Sequence, residues 1–62
     1  MDKKIVYSIM RKHGYIIDDS RIEELLPLID MITNIIKSNH LSCYEAGAVF
    51  RSVEAALRRT NL

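Results

Sequence analysis

"SRIEELLPLIDMITNIIKS", Ser20–Ser38, decides how many helices this chain makes and how they must be covered. At about 100° per residue, Leu28, Ile29, Met31, Ile32, Ile35 and Ile36 span roughly 160° of a helix surface, where a surface helix needs only about 100°. A face that broad has to be covered from more than one direction. Two flanking helices do this, or one flanking helix and another protein chain. Ser20 with Glu23 three residues later has the pattern of a capping box, so Ser20 is the expected N-cap. Asp18 and Asp19 place negative charge at the positive end of the helix dipole. Pro27 removes one backbone hydrogen bond and crowds the turn before it. It leaves either a kinked helix or a short helix over 20–26 followed by a new one with Pro27 at its first position. The expectation is a kink or break near Leu26, with helix continuing to about Ser38 and stopping at Asn39.

On the N-terminal side, Ile5, Val6, Ile9, Met10 and His13 follow one helical face. Asp2 suits the N-cap, Arg11 and Lys12 suit the negative helix end, and Gly14 can take the left-handed conformation that stops the helix. This predicts a first helix from about Lys3 to Lys12. "YIIDDS", Tyr15–Ser20, reads as a connector, extended at Ile16 and Ile17, with no second strand to pair with.

On the C-terminal side, Ser42-Cys43-Tyr44-Glu45 is a second capping box. It predicts a helix over 43–59. Ala46, Val49, Phe50, Val53, Ala56 and Leu57 fall on one side, and Gly47, Arg51, Glu54 and Arg58 on the other. Glu54 and Arg58 make a favourable i, i+4 pair. The fold class is therefore all-α: a small three-helix bundle, its middle helix kinked or broken near Pro27. Residues 1–62 form a single helical domain.

Sixty-two residues bury a modest fraction of their surface, and domains this small often lean on disulfides, a metal or another chain. Cys43 is the only cysteine, so no disulfide can form within the chain. No run approaches the roughly 18 apolar residues of a membrane span. "IVYSIM" behind Lys3 and Lys4 is too short for a signal-peptide core and is stopped by Arg11, Lys12 and His13, so a cytoplasmic location is expected. The net charge of +1 argues against strong nonspecific nucleic-acid binding. Charge is nevertheless segregated: residues 1–14 carry net +3, residues 15–30 net −4 and residues 31–62 net +2. Solvated helix faces attracting one another across the fold account for that layout.

The lead Leu41-Ser42 followed by Glu45-Ala46 resembles the opening of the first helix in excisionase-like and MerR-like DNA readers. That resemblance implies a turn, usually at a glycine, about nine residues after the leucine, and then a second helix. Here the region is "FRSVEAAL", Phe50–Leu57, with no Gly, Asn or Pro and an uninterrupted apolar rhythm. The surviving alternative uses the whole helix 43–59 as the reading helix, with Tyr44, Arg51 and Arg58 as candidate DNA contacts.

His40 and Cys43 stand at H-x-x-C spacing, with His13 elsewhere. Structural zinc wants four N or S ligands and this chain offers three, so no metal is expected. Cys43 is read as a small buried side chain at the edge of the apolar face, and His13 as a partly buried, hydrogen-bonded histidine. Met10 and Met31 read as core filler. The acids Asp18, Asp19, Glu23, Glu24 and Asp30 are explained mostly by capping and helix-start electrostatics. No phosphate loop or nucleophile array is present, so the chain is read as non-enzymatic, without cofactor or small-molecule substrate. The reading that best fits is a protein–protein interaction module, acting as a homodimer or on a partner protein. Its candidate contacts are Leu28, Met31 and Ile35 on the broad face, with Ala48, Ser52 and Ala55 at i, i+4, i+7 on the third helix. That small-residue flank serves either a dimer contact or the first helix within the monomer.

Overall fold

The computed structural model describes residues 1–60. They form an all-α three-helix bundle: α1 (Lys3–Lys12), α2 (Asp19–Ser38) and α3 (Cys43–Thr60), with no strand among the described residues. Asp2 caps α1, its carboxylate accepting from the Lys4 N–H at 3.0 Å.

The α2 start differs from the sequence expectation. Asp18, not Ser20, is the N-cap, and the Ile22 N–H closes the first turn on the Asp18 carbonyl at 2.9 Å. The capping box at Ser20 does not form because its acid is engaged elsewhere. Glu23 accepts from Lys3 Nζ at 2.6 Å, tying α2 to α1. Of the two outcomes open at Pro27, the separate short helix does not form: α2 is helical without interruption from Asp19 to Ser38. The bond Pro27 cannot donate would have gone to the Glu23 carbonyl, one turn back. Both residues are exposed, so water can satisfy that carbonyl.

Two helix ends use the same device. The Tyr15 N–H reaches back to the Met10 carbonyl at 2.9 Å and the Gly14 N–H to the Arg11 carbonyl at 3.1 Å. At the end of α2, the Leu41 N–H reaches the Ile36 carbonyl at 3.2 Å and the His40 N–H the Lys37 carbonyl at 3.1 Å. Both are Schellman motifs, which require a left-handed residue just past the cap. Gly14 takes it at φ 78°, where glycine carries no steric penalty. His40 takes it at φ 56°, which costs a side-chain-bearing residue about 1 kcal/mol. Asn39 stops α2 as expected, and its amide donates to the Ile35 carbonyl at 2.8 Å. The chain then turns directly into α3, where the second capping box does form. The Ser42 hydroxyl accepts from the Glu45 N–H at 3.1 Å, and the Glu45 carboxylate accepts from the Ser42 N–H at 3.0 Å.

Packing is uneven. α1 and α2 approach each other closely, while α3 approaches the pair far more sparingly. Among the described residues only Val6, Ile22 and Ala46 are buried, one from each helix. Ala46 lies in the first turn of α3, and every residue from 47 to 60 is exposed. The chain is splayed as a result. Its radius of gyration is 12.9 Å, where a compact chain of this length would have about 10.6 Å.

Candidate protein-interaction surface

The surface arises from apolar side chains that the helical periods place on one side and the fold leaves open. On α2, the face that turns inward carries Ile22, Leu25, Leu26, Ile29, Ile32 and Ile36, all buried or half-buried. The remainder of its apolar arc, Leu28, Met31 and Ile35, is 47 to 58% exposed. A helix whose apolar side exceeds what one neighbour can cover leaves such a margin. Met31 is therefore no core filler. Met10, by contrast, is half-buried between the helices.

On α3 the apolar side that begins with buried Ala46 continues as Val49, Phe50, Val53 and Leu57, each 41 to 56% exposed. The second flank of α3, Ala48, Ser52 and Ala55, is exposed along its length, so α1 does not use it. The Ser52 hydroxyl donates to the Ala48 carbonyl at 2.8 Å, leaving a narrow flank whose one polar side chain is already satisfied.

Where the three helices diverge they enclose an open apolar cleft of about 360 Å³. Val6, Ile9 and Met10 line it from α1, Ile29, Ile32 and Thr33 from α2 and Phe50 from α3, together with Met1. The single hydroxyl in this lining, on Thr33, donates to the Ile29 carbonyl at 2.8 Å. The walls therefore offer an incoming group no unpaired side-chain donor. Two polar ties join the N-terminal segment to α2. The amino group of Met1 donates to Asp30 Oδ1 at 2.6 Å and Lys3 pairs with Glu23. Their hydrogen bond holds the Glu23 carboxyl below the usual carboxylate range and raises the Lys3 ammonium above the usual lysine range. Part of the charge segregation is thus spent inside the chain, basic α1 against acidic α2.

The candidate DNA contacts stand elsewhere on α3. Tyr44 is 90% exposed and, with Cys43, Gly47, Ala48 and Arg51, borders a shallow depression. Arg58 pairs with Glu54 at 3.3 Å. α3 is unbroken to Thr60, so the second helix implied by the resemblance of its lead to DNA readers is not formed. Cys43 is exposed rather than buried, because the first turn of α3 points it away from α1 and α2. His13 is exposed as well: it is the C-cap of α1, where its backbone N–H donates to the Ile9 and Arg11 carbonyls. Among the described residues no group of three His, Cys, Asp or Glu is placed to hold a metal ion, and no helix is long and apolar enough to cross a membrane. The role of His40 had no sequence signal, since histidine at a helix stop has no fixed reading without the backbone angle.

No protein-family model, curated protein or solved structure matches this chain.

Proposed function

We propose that this protein is a non-enzymatic, cytoplasmic interaction module that acts by docking on protein through its open apolar helix faces. The observation that carries this is the imbalance between its core and its surface. The chain exposes 5567 Å², whereas a compact monomer of 7.2 kDa exposes roughly 4,100 Å². Much of the excess is aliphatic, from Leu28, Met31 and Ile35 on α2 and Val49, Val53 and Leu57 on α3. Contiguous apolar surface at this scale marks interaction sites in stable proteins. The flank Ala48, Ser52 and Ala55 adds a strip where a second helix can approach closely.

The test is hydrophobic-dye binding and cross-linking of purified protein, alone and in host extract. The expected outcome is either self-association or one stoichiometric protein partner, lost on Met31→Asp or Val53→Asp. A chain that stays monomeric, binds no dye and retains no partner removes the proposal. A labelled duplex shifted at low salt, and released by Arg51→Ala and Arg58→Ala, would favour the DNA-reading alternative instead.

A further inference from the structure

We infer that the occupant of the apolar cleft is α3 of a second copy of this chain, with the two copies exchanging α3 helices across a twofold axis. This rests on the interaction-module reading and names its partner. The chain carries both halves of a helix-in-groove contact. One half is the cleft, walled by Ile9, Ile29, Ile32 and Phe50 and without an unpaired side-chain donor that would call for water or a polar ligand. The other is the α3 stripe, Val53 and Leu57, which follows Phe50 at i+3 and i+7 on the same side of the helix and is half-exposed. A small ligand filling about 360 Å³ would leave Val53 and Leu57 in water, because the cleft lining ends at Phe50. A second α3 covers both.

The area agrees with that occupant. The chain exposes about 1,400 Å² more than a compact monomer of its mass. Removing that excess from each of two copies gives a total in the range of obligate homodimers, roughly 2,000–5,000 Å². A self-complementary patch is what a twofold interface requires, since each copy must present both surfaces. The exposed run of α3 supports the same conclusion. A helical run of about 14 residues with no buried side chain is marginal in water, and none of residues 47–60 is buried within the chain.

Sedimentation equilibrium over a roughly hundredfold concentration range tests this. Wild type is expected at twice the chain mass. Leu57→Asp on the stripe and Ile9→Asp on the cleft wall are each expected to weaken dimerisation at least about tenfold, because the carboxylate would be buried unpaired. Ile16→Asp, in the connector and outside the cleft lining, is expected to remain dimeric. Circular dichroism of both weakened variants should show helix retained in α1 and α2 with a concentration-dependent loss from α3. A dimer that survives Ile9→Asp, or that Ile16→Asp alone dissociates, overturns the assignment to the cleft. A monomeric wild type that binds a hydrophobic dye overturns the second copy as occupant and leaves the interaction module standing. A monomeric wild type with a compact hydrodynamic radius and no dye binding means α3 closes on its own chain, and overturns both.

Discussion

α1 and α2 on one side and α3 on the other are built from similar material and end in different states. Each has an apolar side at helical spacing, a side-chain N-terminal device or acidic lead, and basic residues at its C-terminal end. Yet Val6 and Ile22 are only 3% and 1% exposed, while on α3 the apolar side chains beyond Ala46 remain half-exposed. The difference lies in the joints. The connector from His13 to Asp18 lets α1 fold back on α2, and two ion pairs, Lys3–Glu23 and the Met1 amino group with Asp30, hold it there. The joint from Asn39 to Ser42 is four residues whose backbone N–H groups are all committed to ending α2 or starting α3. It sets the departure angle of α3 without reference to the other helices. A well-made local joint can thus leave an amphipathic helix unpacked.

The largest way to break this contrast is in the core. Ile22→Ala should destabilise the fold by about 2–4 kcal/mol, because it opens a cavity where α1 meets α2. Val53→Ala should cost a dissociated chain less than about 0.5 kcal/mol, since that side chain is half-exposed and buries little apolar surface within the chain. Urea titration at low protein concentration measures both, and equal losses would mean that α3 packs like the other helices. The joint gives the next effect. Ser42→Ala should cost about 1 kcal/mol by removing a formed capping box, and His40→Gly should gain about as much by relieving the left-handed backbone. Ser20→Ala should change stability by only a few tenths of a kcal/mol, because that serine lies inside α2 rather than at its cap. Thermal melts of the three variants rank them directly.

The smallest effect is the pH response of the Lys3–Glu23 pair. Glu23 is held below the usual carboxylate range, so its contribution is present above its unfolded pKa and lost as pH falls through the depressed value. Lys3 is raised, so its contribution is present below its unfolded pKa and lost as pH rises through the elevated one. The pair therefore supports α1 on α2 across the neutral range and fades at both extremes. Both side chains are solvent-exposed, so salt should erase the effect. Stability curves of wild type and Glu23→Gln that differ equally in low and high salt would contradict this.

Much of the local structure was legible in residues read alone. Asp2 and Gly14 bound α1 at Lys3–Lys12, Asn39 stops α2, and Ser42 with Glu45 starts α3, because each acts on backbone groups within a turn of itself. The apolar arc of α2 was legible too, and with it the need for cover from more than one side. Where the reading failed, a distant group intervened. Glu23 left the capping pattern for Lys3, twenty residues away. Periodicity says which side chains share a face. Whether that face is filled depends on the direction in which each helix leaves its joint, a vector set by backbone angles such as the φ of 56° at His40. By itself the sequence determined three capped amphipathic helices. Only the tertiary structure decided that α3 stands away from α1 and α2 and leaves an apolar cleft between them, because helix direction is a long-range property that no local pattern encodes.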